Sequence, residues 1–228
     1  MNKDEEIFIL IPAYNEEAKI GIVILNLQTE GYNNILVIND GSKDNTEKVA
    51  KDAGAEVLNH IINRGQGAAL RTGIEYLREN KQVDIIITFD ADGQHQAKDI
   101  PAIIEPLNEG FDVTLGSRFL DKKTIVPKIK KIILKAGVVF TNTVSNIKLT
   151  DTHNGFRALG RNAIDRINLT QRGMEHASEI IDEIIKNKLK YKEVPVEVMY
   201  TKYSIAKGQS VADFLELGFK FLINKLTE

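Results

Sequence analysis

The run VDIIITF at 83–89 sets the strongest constraint on the fold. Ile85, Ile86 and Ile87 are consecutive, so a strand built from them is covered on both faces. Other strand-length runs are IFILI (7–11, stopped by Pro12), ILVIN (35–39), AEVLNH (55–60) and FDVTLGS (111–117). Between them lie segments of helical character at 16–31, 43–54, 67–80 and 97–110. Gly31 and Gly54 close two of these, as a left-handed C-cap favours. Strands alternating with helices predict right-handed crossovers and an α/β fold, a largely parallel sheet with helices on both faces.

In open sheets of this kind ligands sit beyond the carboxyl ends of the strands. Three polar clusters fall there: PAYNE (12–16), NDGSKDN (39–45) and DADGQH (90–95). Asp90 and Asp92 flank one residue, so in an extended segment both side chains point the same way. Paired carboxylates repel unless a cation lies between them. Oxygen ligands of this kind suit Mg²⁺ or Mn²⁺, with Gln94 as a third oxygen. Asp and Gly are equally at home in a strand-end turn, so local chemistry leaves metal site and turn evenly matched. In the second cluster, Ser42 or Asp44 caps the following helix, while Asn39 and Asp40 stand at the strand mouth. NRGQGAAL (63–70) places two glycines and Arg64 at a helix start, where backbone N–H groups favour anions. It lacks the third glycine of a dinucleotide fingerprint.

Composition narrows the function class. The 228 residues carry a net charge of −2, which gives no global field for nucleic acid. There is no cysteine, which excludes disulfides and thiolate metal sites and fits a reducing cytoplasm. MNKDEEIFIL lacks the long apolar region of a signal peptide, and no stretch reaches membrane-spanning length. The apolar fraction of 43% suits one sizeable domain.

The second half reads differently. Residues 116–140 hold Arg118 and Lys122, Lys123, Lys128, Lys130, Lys131 and Lys135 against the single acid Asp121. A solvated basic helix face explains this, as does an anionic membrane surface. THNGF (152–156) is turn-like, 174–188 helical, 191–199 a strand, and 211–226 a final amphipathic helix. The last packs on the core or docks on a membrane or a small membrane-spanning partner protein.

IPAYNEE, VINDGSKDNT, NRGQGAALRTGI, DADGQH, GSRF and TDTHNGFRAL, in this order over residues 9–159, resemble a family 2 glycosyltransferase of GT-A fold. The branch most similar is that of dolichyl-phosphate mannose synthases and polyprenyl-phosphate glycosyltransferases. The resemblance implies one domain, with residues 1–117 binding a nucleotide-sugar and 118–228 an acceptor. It implies that Pro12, Tyr14, Glu16, Asn39, Asp40, Arg64 and Asp90 hold the nucleotide. Asp90, Asp92 and Gln94 match the metal motif. Arg118 and Arg157 match acceptor-phosphate ligands, and Asp92, Arg118, Asp151 and Glu179 are the catalytic candidates.

The implied reaction moves a sugar, with inversion, from a UDP- or GDP-sugar to a lipid phosphate with Mg²⁺ or Mn²⁺. Where many members have two acids, this chain has Asn39-Asp40. An amide both donates and accepts, which suits uracil better than guanine. A growing envelope glycan is the alternative acceptor, with Asp151 or Glu179 as base. A catalytically silent nucleotide-sugar-binding subunit is a third reading, against which the intact Asp90–Asp92–Gln94 set stands. The expected location is the cytoplasmic face of the membrane, peripherally bound.

Overall fold

A computed structural model describes residues 6–121, 124–145 and 147–200. The helix expected at 211–226, with Lys122 and Lys123, lies outside the described residues.

The strands are β1 (Ile7–Ala13), β2 (Ile35–Asn39), β3 (Glu56–Asn59), β4 (Ile85–Thr88), β5 (Val113–Ser117), β6 (Arg157–Gly160) and β7 (Tyr191–Pro195). They form one sheet in the order β3-β2-β1-β4-β6-β5-β7. β3, β2, β1 and β4 are mutually parallel, β5 and β7 are parallel, and β6 runs antiparallel between β4 and β5. The helices are α1 (Ile20–Thr29), α2 (Thr46–Asp52), α3 (Gln66–Asn80), α4 (Ile100–Asn108), α5 (Lys128–Val144), α6 (Arg161–Arg166) and α7 (His176–Lys186). Among the described residues no helix is long and apolar enough to cross a membrane.

Successive strand residues serve opposite faces. Ile9 and Ile11 pack with Ile20, Ile24 and Leu27 of α1 and Ile103 of α4. Leu10 packs on the other side with Ile74 and Leu77 of α3, Ile164 of α6 and Ile181 of α7. Each such side chain, fully buried, contributes about 1.5–3 kcal/mol. This two-sided core is what the apolar runs predicted.

Pro12 does not stop β1, which continues to Ala13. β1 pairs with β2 from Ile9 to Ala13 but with β4 only from Ile7 to Leu10. Pro12 therefore falls where the β4 ladder has already ended, so its missing N–H leaves no gap. The strand expected at 83–89 is shorter, 85–88, although Phe89 N–H still donates to Leu10 O of β1 (3.0 Å). That expected at 191–199 ends at Pro195, and residue 198 makes only a single bridge, to His95. β6 was not foreseen: THNGF leads straight into it.

The reversal of β6 matters for the site. Arg157, its first residue, is in register with Thr88 and Leu115, near the carboxyl ends of β4 and β5. The loop before β6 therefore reaches the same sheet edge as the loops after β1, β2 and β4.

Candidate active site

At that edge lies a cleft of about 410 Å³. Pro12, Tyr14 and Glu16 come to it from the β1 loop, Asp40 from the β2 loop, and Asp90, Asp92, Gln94 and His95 from the β4 loop. Arg118 follows β5, Lys130 lies on α5, and His153 and Gly155 precede β6.

The β1 and β2 loops are sewn together. Asn15, at φ 53°, donates its N–H to Ser42 Oγ (2.9 Å) and accepts from Lys43 N–H at Oδ1 (2.8 Å). Glu16 N–H donates to Thr46 Oγ1 (2.7 Å), and Glu17 accepts from Asn45 N–H (2.9 Å). Asp40 is almost wholly buried and receives His60 Nδ1 (2.6 Å), Arg64 N–H (2.9 Å) and Gly65 N–H (2.7 Å).

Asp90 accepts from His95 Nε2 (2.9 Å) and Gln66 Nε2 (3.2 Å). The His95 ring is wedged between Phe89 and Phe156, with centroids 5.4 and 5.1 Å away. Burial pushes the Asp90 carboxyl up, but His95, His176 and Arg157 outweigh it and hold it below the usual range. Asp92 goes the other way: burial, then the charge on Asp90, push its carboxyl up. The pair is thus one firmly ionised group and one strained by its neighbour, a donor set that an added cation relieves. Gly93, at φ 77°, makes the turn between them and Gln94. Among the described residues no three His, Cys, Asp or Glu side chains form a ready metal cage. Two carboxylates with open positions are what Mg²⁺ takes alongside a substrate's phosphates.

Arg118 is buried and held on several sides. Its Nε–H donates to Asp151 Oδ2 (2.6 Å), Nη1 to Tyr200 Oη (2.9 Å) and Nη2 to the His153 carbonyl (3.0 Å). Burial alone would lower its pKa, but Asp151 and Tyr200 more than offset this. Lys130 stands over the Tyr200 ring, 4.8 Å from its centroid. Burial, then the Arg118 charge, lowers its pKa.

Several residues singled out in the sequence sit elsewhere. Asn39 is off the cleft wall: its amide donates to Asn59 Oδ1 (2.8 Å) and accepts from Ser42 N–H (3.3 Å). The base-reading argument built on that amide therefore does not hold. The Arg64 side chain is exposed and off the cleft, and its backbone serves Asp40. Gln94 lines the cleft and donates its amide nitrogen to Asp92 Oδ2 (2.5 Å). Asp151 lies behind Arg118, off the wall, and Glu193 braces it by accepting from Asp151 N–H (3.0 Å) and Thr150 N–H (2.9 Å). Glu179 caps the 170–171 backbone, accepting from Thr170 N–H (2.8 Å) and Gln171 N–H (3.0 Å). Arg157 is buried beneath the cleft, its pKa lowered to about 10 by burial against the pull of Asp90 and Asp151.

The NRGQG glycines also have another reason. A Cβ on Gly65 or Gly67 would collide with backbone carbonyls of 171–173, and Ala68 N–H already donates to Arg172 O (3.1 Å). This helix start is docked on a loop, and Gly65 and Gln66 still line the cleft. The sequence reading missed His60, Gln66 and Glu193, whose partners lie far away in the chain. Only His60 carried a signal, a polar residue ending an apolar strand beside a cluster.

A profile of glycosyl transferase family 2 matches residues 8–167. The chain is 42% identical, over 99% of its length and 94% of the other, to an uncharacterized protein of Methanocaldococcus jannaschii. It is 34% identical, over 98% of its length and 97% of the other, to a UDP-N-acetylglucosamine–dolichyl-phosphate N-acetylglucosaminyltransferase of Methanococcus voltae. A dolichol-phosphate mannosyltransferase of Pyrococcus furiosus is 28% identical over 90% of this chain and 58% of its own. Glucosyl-3-phosphoglycerate synthase from Mycobacterium tuberculosis, solved with Mn²⁺, UDP and its product, superposes with TM-score 0.72 at 19% identity, over 98% of this chain and 79% of that one. That likeness bears on the fold, and the profile and relatives on the family: the chain is a family 2 glycosyltransferase of GT-A fold.

Proposed function

We propose that the chain transfers one sugar, with inversion, from a UDP-sugar to a polyprenyl phosphate. The carrying observation is that one cleft holds both a carboxylate pair, Asp90 and Asp92, and a cation pair, Arg118 and Lys130. A donor diphosphate needs the first, through a metal, and an anionic acceptor needs the second. Tyr14 offers an aromatic face to the base, while Glu16 and Asp40 offer acceptors to ribose and base. The uridine reading draws support from the Methanococcus voltae relative, whose name specifies a UDP-sugar and a dolichyl phosphate.

A divalent cation on Asp90 and Asp92 would neutralise the diphosphate and stabilise the leaving group. The residues of the chain do the rest. His95 and Gln66 orient Asp90, and Gln94 orients Asp92. Arg118 uses three of its N–H groups on the protein and keeps the others for an acceptor phosphate, with Lys130 beside it. A phosphate oxygen of the acceptor forms the new bond to the anomeric carbon as the bond from that carbon to the diphosphate breaks. A phosphate monoester is already ionised near neutral pH, so the attack requires no general base. A hydroxyl acceptor would require one, yet Asp151 is tied to Arg118 and Glu179 to the 170–171 backbone. This favours the lipid phosphate over the glycan.

Such an acceptor places the enzyme at the membrane surface, on the cytoplasmic side. Exposed Lys131 and Lys135 beside exposed Ile132 and Val139 on α5 support peripheral binding. A small membrane-spanning partner is the other route to the bilayer. The test is a transfer assay with UDP- and GDP-sugars, Mg²⁺ or Mn²⁺, and a short polyprenyl phosphate. Lipid-linked sugar formed from a UDP-sugar only with metal present is the expected result. Transfer unaffected by chelation, or directed only to a glycan hydroxyl, would overturn the proposal.

A further inference from the structure

Behind Asp40, at the nucleotide end of the cleft, stands a group the proposed reaction does not use. His60 sits in the loop after β3, its side chain 6% exposed, against an Asp40 side chain 4% exposed. Its Nδ1 lies 2.6 Å from Asp40 Oδ1 and its Nε2 lies 2.9 Å from Thr72 Oγ1. An ionised carboxylate only accepts, so Nδ1 carries the hydrogen and donates, while Nε2 is bonded to the Thr72 hydroxyl, which can donate or accept. The ring is thereby fixed at both ends.

A carboxylate has about four acceptor positions, two on each oxygen. On Asp40, Oδ1 takes His60 Nδ1–H and Arg64 N–H, and is full. Oδ2 takes Gly65 N–H, which leaves one position. The two backbone donors are fixed by the 63–65 turn, whereas the third donor is a side chain and is open to substitution. Asp40 lines the cleft, so that single position is all its carboxylate has left to offer a ligand there. Uracil presents one ring N–H between two carbonyls and requires one acceptor. Guanine presents N1–H and an exocyclic N2–H side by side, and a carboxylate satisfies both only with a free position on each oxygen.

We infer that His60 is a specificity-determining positioning residue: by filling Oδ1 of Asp40 it leaves one acceptor, which admits a uracil nucleotide and rejects a guanine nucleotide. This rests on the nucleotide-sugar reading of the cleft. The hydrogen bonds concerned are to a charged group, where one made or lost changes affinity by roughly 10- to 100-fold.

The test is calorimetric titration of the full chain with UDP and with GDP, in Mg²⁺. Wild type is expected to bind UDP at least about tenfold tighter. His60→Leu frees Oδ1 and is expected to narrow that ratio about tenfold, chiefly by gaining GDP affinity. His60→Asn keeps an N–H donor near the place of Nδ1 and is expected to keep the wild-type ratio. Should His60→Leu fail to fold, Thr72→Val removes the second anchor of the ring and must narrow the ratio in the same direction. Equal weakening of UDP and GDP in these variants means His60 is merely structural and overturns the inference while leaving the donor reading intact. Tighter GDP than UDP binding by wild type, or binding of neither, overturns the donor reading and the inference with it.

Discussion

Gly155 presses its backbone against the carboxylate that the proposed metal site requires. A Cβ at this position would lie 2.8 Å from both Asp90 carboxylate oxygens and 3.1 Å from Cγ. Ordinary contact begins at 3.4 Å, so in Gly155→Ala the carboxylate must move by roughly 0.6 Å. Gly155 has no positive φ, so alanine strains nothing in the backbone. The whole effect falls on Asp90, which is tethered to His95 and Gln66 and cannot shift without stretching those bonds. Its side chain is 30% exposed toward the cleft, which gives it room to yield. The cost to stability should then stay below about 1 kcal/mol, under the usual range for overpacking. The cost to function should not, since a misplacement near 1 Å lowers rates on the order of 100-fold. A loss of about 10- to 100-fold in transfer is expected, with weaker Mn²⁺ binding in the presence of UDP and a nearly unchanged melting temperature. Wild-type transfer and Mn²⁺ affinity in a folded Gly155→Ala protein would refute the reasoning.

Asp92→Asn removes a carboxylate whose pKa is already raised by burial and by Asp90, so its melting temperature should equal or exceed wild type while transfer falls at least ~100-fold; near-normal turnover would remove Asp92 from the metal site. Asp151→Asn keeps an acceptor for Arg118, so the acceptor KM should rise more than kcat falls and the pH profile should keep its shape; loss of the acidic limb of kcat would instead make Asp151 the general base. Burial lowers His153 and His176 to about 4, below the 6.5 of an exposed histidine. The unfolded chain therefore binds more protons between those values, so the stability these residues support is complete above pH 6.5 and is lost as pH falls toward 4, by up to about 1.4 kcal/mol per pKa unit per residue. Urea unfolding between pH 7.5 and 5 checks this, and a flat profile that His176→Asn leaves unchanged would contradict it.

The parallel half of the fold was legible because buried strands are written as contiguous apolar runs, and Ile85–Ile87 admits little else. The acidic cluster was legible because its members are neighbours in sequence. β6 was hidden: RALG is four residues long, begins with a charge, and owes its place to pairing with β4 and β5 on both sides. The partners of Asn39, Asp151 and Glu179 were not legible for a common reason. Residue type fixes what a side chain is able to bind, but the partner arrives from elsewhere: Asn59, Arg118 and the 170–171 backbone took up groups that the sequence left unassigned. The Gly65–Gly67 pair read as an anion site at a helix start, and close backbone approach to the 171–173 loop is what the glycines permit.

The segment 118–156 leaves the sheet after Ser117 and returns at Arg157 beside the strand it left, with Gly116 N–H donating to Phe156 O (2.9 Å). Its two ends are thus stitched together independently of what lies between. Closing such a loop costs only about 0.6 kcal/mol more for each doubling of its length. This stretch suits exchange as a cassette carrying Arg118, Lys130 and His153, while Asp40, Asp90 and Asp92 lie outside it in the loops after β2 and β4; Gly155 and Phe156, which pack on Asp90 and His95, have to be kept. A grafted cassette of different length that keeps Gly155 and Phe156 should therefore redirect the acceptor without disturbing the donor.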